Sequence, residues 1–216
     1  MLKRPALQRG LSLIELLIGI VIALFIAATG STLLIGHLRE SRALLLETRL
    51  SQDLRTASDA VARELRRAGY WGHAGSGANP YAALSPGAAP SDSVGLRYSM
   101  DAAENDAVDS NEQFGFRLRA GALELLLGAG NWQALTDVGI FTVTEFRVSP
   151  EVQDVSLASF CPTPCASGAG QCPPHQQVRS MAVVITAVLV SDSRVSRTVR
   201  TNVRVRSDDV VGSCTL

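Results

Sequence analysis

Residues 9–36 read RGLSLIELLIGIVIALFIAATGSTLLIG, and from Leu16 to Gly36 twenty-one consecutive residues carry no charge. A helix rising about 1.5 Å per residue needs about 20 such residues to cross a bilayer, so this stretch is long enough to span one. The ten residues that open the chain, MLKRPALQRG, hold Lys3, Arg4 and Arg9 and no acid, the bias that keeps an end in the cytoplasm. A secretory signal would have a shorter apolar region, about 7–15 residues, running into a small-residue cleavage site. Ala23, Ala27 and Ala28 imitate such a site, but Glu15 stands one turn inside the apolar core. An ionised carboxylate in hydrocarbon is costly and usually functional. The bland alternative puts Glu15 at a helix start, favoured by the dipole and reaching headgroup water.

The neighbourhood decides between these readings. Arg9-Gly10-Leu11-Ser12-Leu13-Ile14-Glu15-Leu16-Leu17 resembles the class III signal of type IV prepilins and type II secretion pseudopilins. The resemblance implies that a membrane-embedded prepilin peptidase cuts after Gly10 and methylates the new amino terminus at Leu11, leaving the apolar helix attached. It also implies that the Glu15 carboxylate neutralises the terminal amine of a neighbouring subunit as a filament assembles; a buried charge is tolerable when paired. The family usually starts its mature chain with Phe, and here Leu11, also bulky and apolar, takes that place.

Beyond Gly36 the sequence becomes charged without losing helical period. Leu46, Leu50, Leu54, Ala57, Val61, Leu65 and Ala68 recur at steps of three and four, one apolar stripe on one face. No Pro interrupts residues 11–68, a run that as one helix would extend ~87 Å. Arg66 and Arg67 followed by Gly69 form a good stop, with cations at the negative end of the dipole and Gly at the left-handed cap. The stripe spans too few heptads for a coiled coil and is expected to pack on a sheet. Gly19, Gly30 and Gly36 inside the apolar half suggest close helix packing in a membrane.

Residues 69–92 are rich in Gly and Pro and read as a loop, anchored by Tyr70, Trp71 and Tyr81. The turn Arg66-Arg67-Ala68-Gly69-Tyr70-Trp71-Gly72 is similar to the helix end of the PilW family of minor pilins, which often has Cys next, where this chain has His73. His73 is then expected to be a solvated loop residue. From there the period changes to two. Phe114, Phe116, Leu118 and Ala120 alternate with Gly115, Arg117 and Arg119, and Gly121 turns the chain into 122–127, a hairpin. A further strand is expected at 139–149, and a long pair at 178–190 and 194–206. In the last of these Val195, Val199, Val203 and Val205 share a face with Arg197, and Arg194, Arg200, Arg204 and Arg206 share the other. The predicted fold is α+β and type IV pilin-like, a long N-terminal helix packed on an antiparallel β-sheet head. Its parts are a leader (1–10), a transmembrane or filament-core helix (11–36), an amphipathic helix (37–68), a Gly/Pro-rich loop (69–92) and a β head (93–216).

Twenty basic and twenty acidic residues give a formal charge of zero, with 5% aromatic content, which argues against a nucleic-acid binder. Two charge clusters nevertheless stand out. Asp101, Glu104, Asp106, Asp109 and Glu112 lie between Arg97 and Arg117 with no base, and residues 194–206 hold five Arg and no acid; the two are candidates to pair within or between subunits. Spacing from Asp101 to Glu112 imitates a calcium loop, but Ala103 and Asp106 stand where a ligand and a Gly are needed, so a solvated loop is expected. Cys161, Cys165, Cys172 and Cys214 are even in number on a chain body expected outside the cytoplasm, and point to two disulfides rather than zinc. Three pairings are open, of which Cys161 to Cys165 with Cys172 to Cys214 is the one expected.

His37, His73 and His175 are isolated and no nucleophile elbow occurs, so no catalytic residue, metal or cofactor is assigned and the chain is read as a non-enzyme. By resemblance it is a minor pilin that helps prime pilus assembly in a tip complex, supporting twitching motility or adhesion. Its implied partners are the prepilin peptidase, other minor pilins, the major pilin and the inner-membrane assembly machinery. It would wait in the inner membrane, N-terminus cytoplasmic and head periplasmic, before reaching the cell-surface pilus. Two alternatives are a J-type minor pseudopilin of type II secretion and a membrane-anchored periplasmic enzyme or sensor that keeps its N-terminus.

Overall fold

The computed structural model describes residues 12–74, 77–86, 89–165 and 171–215. One helix, α1 (Leu13–Arg67), takes up the N-terminal quarter and runs through the residues predicted to be helical. Its end is set by Gly69, whose φ of +74° is left-handed and whose N–H donates to the Arg97 carbonyl at 2.8 Å. The chain divides into two compact units after Leu46.

In the first unit every described residue from Ser12 to Leu45 is exposed. In the second the stripe becomes a core. Leu50, Leu54, Val61 and Leu65 are fully buried, and Ala57, Ala62 and Ala68 nearly so. Each buried Leu stabilises by about 1.5–3 kcal/mol relative to exposure, so this face anchors residues 47–67 to the head.

Two antiparallel sheets, where one was expected, receive it. The first runs in the order β1 (Ser93–Arg97), β2 (Gln113–Arg119), β3 (Ala122–Leu127), β4 (Trp132–Ala134). Its predicted hairpin turns at Ala120 and Gly121, with φ of 49° and 79°, the paired left-handed residues that match the twist of the strands. The second sheet has β5 (Phe141–Ser156), β6 (His175–Leu189) and β7 (Ser196–Arg204) in sequence order, with β8 (Asp209–Val211) beside the start of β6. Strand β5 runs seven residues past its expected end at Ser149, and a bulge between Val143 and Glu145 bends it. The sheets are stitched together where Ser91 and Val148 exchange backbone bonds of 2.9 and 2.8 Å, and where Val143 N–H donates to Gly121 O at 2.8 Å.

Alternation in the second sheet explains what the helix packs on. Phe146, Ile185 and Val199 form one row, and Pro150, Met181 and Val203 another, on the inner face. Phe146, Ile185, Met181 and Val203 are buried. The Ser58 hydroxyl of α1 lies 2.8 Å from that of Thr201 on β7, and Glu47 pairs with Arg197. Arg197, the polar residue on the apolar face of the last strand, is thereby answered by the helix.

Candidate membrane-anchoring and assembly site

The described part of the N-terminal segment has the chemistry of a helix meant for hydrocarbon. Within α1 an 18-residue window reaches a mean hydropathy of 2.5 and none of it is buried, making this the one described helix long and apolar enough to cross a membrane. Three hydroxyls inside the apolar stretch are satisfied by the helix backbone. Thr29 Oγ1 donates to Phe25 O at 3.1 Å, Ser31 Oγ to Ala27 O at 2.7 Å and Thr32 Oγ1 to Thr29 O at 2.8 Å. A polar group with no water nearby needs such a partner. A Cβ at Gly19, Gly30 or Gly36 would meet nothing within 4 Å, so these glycines leave open notches where another helix can approach closely. Glu15 lies in the first turn, its N–H donating to Ser12 O at 3.0 Å, with its carboxylate exposed at the positive end of the dipole. No cation meets Glu15 among the described residues. Gly10 and Leu11 lie outside the described residues.

At the other end of α1 the helix is clamped to the first sheet. Arg67 stacks over Tyr98 at 4.1 Å, and Tyr98 stacks on Phe114 at 4.2 Å between centroids. The Tyr98 hydroxyl donates to Glu64 at 2.7 Å. Burial, together with that carboxylate, holds the Tyr98 hydroxyl far above its ordinary pKa, so it stays a donor at any working pH.

The acidic segment is a mostly exposed loop, as expected, with Glu112 alone fully buried, and its carboxylates do not pair with the arginines of β7. It wraps the turn that follows α1. Asp106 accepts from Trp71 Nε1 at 2.7 Å and lies 2.9 Å from His73 Nδ1, while Glu104 accepts the Gly72 N–H at 3.0 Å. Hydrogen bonding from Trp71, helped by His73, holds Asp106 below the usual carboxylate range. His73 is a surface loop residue, as expected, hydrogen-bonded to Asp106. Trp71 and Tyr81 anchor the loop as expected, at 7% and 0% exposure, whereas Tyr70 is 59% exposed and does not.

Glu112 is the keystone of this arrangement and is completely buried. Its Oε1 accepts from Met100 N at 2.7 Å, and its Oε2 from Asp109 N and Tyr81 OH, both at 2.9 Å. Burial alone would raise its pKa, but the donors outweigh burial and leave it lowered. Asp101 is the counterweight. Its Oδ2 is buried without a partner, and burial together with the nearby Glu112 charge pushes its pKa up.

The arginines of residues 194–206 find other partners. Arg204 pairs with Asp208 at 2.8 Å, Arg194 with Asp192 at 2.8 Å and Arg197 with Glu47. Arg200 and Arg206 meet no carboxylate among the described residues.

All four cysteines are disulfide-bonded, but not in the expected pairing. Cys161 joins Cys214 and Cys165 joins Cys172, with Cα separations of 5.3 and 5.5 Å. The reason is β8. Val211 lies opposite His175 at the foot of β6, and Ser213 N–H donates to Gln171 O at 2.9 Å. The tail is thus delivered to the mouth of the β5–β6 connection, where Cys161 follows a short 3-10 turn at Ala158–Phe160. Three of the sulfurs lie within 4.8 Å of one another, so proximity in sequence did not choose the partner.

Sequence reasoning missed Glu112, Tyr81 and Asp106 as a unit, because Trp71 and Asp106 stand 35 residues apart and only the fold joins them. The available signal was the acidic run itself, Asp101 to Glu112, with no base between Arg97 and Arg117. Compared with known families, residues 43–205 match the family described as "PpdB: Prepilin peptidase-dependent protein B", more than half of the chain. No curated protein and no solved structure gives a significant match. The match begins beyond the apolar segment, so it rests on the second half of α1 and the head.

Proposed function

Because the chain belongs to the prepilin peptidase-dependent protein B family, we propose that it is a minor pilin of the type IV pilus, of the PilW type and without enzymatic activity. The observation that carries this reading is the spacing of Gly10, Leu11 and Glu15 at the start of a continuous helix, Leu13–Arg67, with Glu15 in its first turn. The family match is independent of that signal, since it lies entirely outside it. On this reading the subunit is held in the inner membrane by residues 11–36, with its head in the periplasm. Prepilin peptidase removes residues 1–10 and methylates Leu11. Glu15 then pairs with the terminal amine of a neighbouring subunit, which makes a carboxylate in hydrocarbon affordable. The subunit takes its place with other minor pilins in a tip complex that primes assembly of the major pilin through the inner-membrane machinery, and the fibre supports twitching motility or adhesion.

The test is intact mass spectrometry of the protein from cells that possess the peptidase, and of sheared surface fibres. A chain beginning at methylated Leu11 is expected in both. Gly10→Ala should leave the full-length precursor in the membrane. Glu15→Ala should be processed normally yet be lost from the fibres. An intact N-terminus in such cells would sink the proposal in favour of an anchored enzyme or sensor. Processing with co-purification of secretion pseudopilins, and absence from pili, would assign the chain to the J-type class instead.

A further inference from the structure

We propose that the outer edge of β7 receives an extended acidic segment of another protein, added to the second sheet as a further strand. The strand is regular, pairing with β6 over all nine residues without a register shift. Leu189 N–H donates to Val195 O at 3.1 Å and Val205 N–H to Arg179 O at 2.9 Å, which fixes the alternation. Odd-numbered residues of β7 turn their N–H and C=O toward β6, so Ser196, Thr198, Arg200, Asn202 and Arg204 turn theirs away. All five are exposed. Among the described residues no other backbone group bonds to them, and the Ser196 carbonyl accepts only from Arg197 Nη1 at 2.9 Å.

The other long edges are interrupted or bridged over part of their length. Strand β5 is crossed by Ser91 at Val148 and by Gly121 at Val143, is bulged, and carries Pro150. Strand β1 is covered by Ser85, which exchanges bonds of 2.9 and 2.8 Å with Gly95, and β4 has only three residues. Natural proteins blunt edges in these ways because an open edge is a template for pairing. Leaving a nine-residue edge regular and free of Pro is the exception here.

The side chains select the occupant. Those on the outer face at this edge are Ser196, Thr198, Arg200, Asn202 and Arg204, with no acid and no large apolar residue. Arg147, Val184 and Arg200 form one cross-strand row, and neither Arg meets a carboxylate among the described residues. A second copy of the chain fits poorly. Antiparallel pairing of β7 on itself about its centre would set Arg200 against Arg200, and like charges directly opposite are destabilising. A strand with Asp or Glu at alternate positions places carboxylates on the arginine row while its backbone completes the ladder, the division between affinity and specificity seen in strand addition. This surface does not depend on which secretion or pilus system the chain serves.

The experiment uses the full chain in detergent micelles and a blocked nine-residue peptide alternating Thr and Glu, with a Thr–Lys peptide as control. Amide exchange at residues 196, 198, 200, 202 and 204 should be fast in the free protein and slow by at least about tenfold at saturating acidic peptide. The Thr–Lys peptide should bind at least about tenfold more weakly. Asn202→Pro removes an outward N–H that β6 does not use; it should weaken the acidic peptide by at least about tenfold and leave the unfolding midpoint unchanged. Arg200→Glu should invert the preference between the peptides. The proposal falls if saturating acidic peptide leaves those amides unprotected, if both peptides bind the wild type equally, or if Asn202→Pro binds normally. It also falls if the amides become protected without peptide as protein concentration rises, which would mean that copies pair through β7.

Discussion

Replacing Glu112 by Gln should cost about 3–5 kcal/mol of stability, although the side chain keeps its shape and volume. The wild-type carboxylate accepts three hydrogen bonds, one at Oε1 from Met100 N and two at Oε2 from Asp109 N and Tyr81 OH. In the gentler orientation the new NH2 faces the Met100 N–H, and two donors point at each other. One buried N–H loses its acceptor, at about 1–3 kcal/mol, and the two surviving bonds lose their charge assistance, roughly half of about 2 kcal/mol each. For a domain of this size the melting temperature should fall by about 6–20 °C. Urea titration of the full chain in micelles, followed by Trp fluorescence, reads the difference, because Trp71 is buried beside this cluster. The pH dependence supplies the sign. The folded-state pKa of Glu112 is lowered, so its contribution is fully present above the ordinary carboxylate range and is lost as pH falls through the folded value. Gln does not titrate, and the gap between wild type and variant should narrow on acidification from neutral pH. A gap below about 0.5 kcal/mol at pH 7, within the range of ordinary surface substitutions, or one that widens in acid, would refute the keystone role.

Three further outcomes concern the head. A nonreducing peptide map should recover Cys161 linked to Cys214 and Cys165 linked to Cys172. Replacing the first pair by Ser should destabilise by up to about 4 kcal/mol and the second by about 2, since their sequence separations are 53 and 7; equal losses would contradict the pairing. Gly121→Ala should cost about 1–3 kcal/mol in thermal or urea unfolding, because φ there is +79° and a Cβ would come within 2.6 Å of Thr142 Cγ2; an unchanged midpoint would show that the turn relaxes freely.

Elements with a local signature were legible in the sequence. The stripe from Leu50 to Ala68 repeats every three to four residues and is buried as that spacing demands. The β2–β3 hairpin and the β6–β7 pair likewise declared themselves through alternation around short turns. Strands β1, β4 and β8 did not, having five, three and three residues, too few for a period to emerge. They exist because neighbouring strands offer edges, and pairing across the chain leaves no local mark. The same holds for the cysteines, where the fold-back of β8 overrode nearness in sequence. At the candidate site, Glu15 and the apolar run were conspicuous because they conflict with each other. Asp106, Glu112 and Tyr81 were obscure because each alone looks ordinary for a polar loop.

The bond between Cys161 and Cys214 gives the head a mechanical property. It closes the last three strands of the chain into a covalent ring that includes β6, β7 and β8. With a separation of 53 residues and about 3.4 Å per extended residue, some 180 Å of contour is withheld from any load applied between the chain before Cys161 and the tail after Cys214. Tension on a point inside the ring divides between two arms, and the shorter one limits how far that point can travel. A head pulled at the last sheet can therefore stretch only part-way before covalent bonds bear the force.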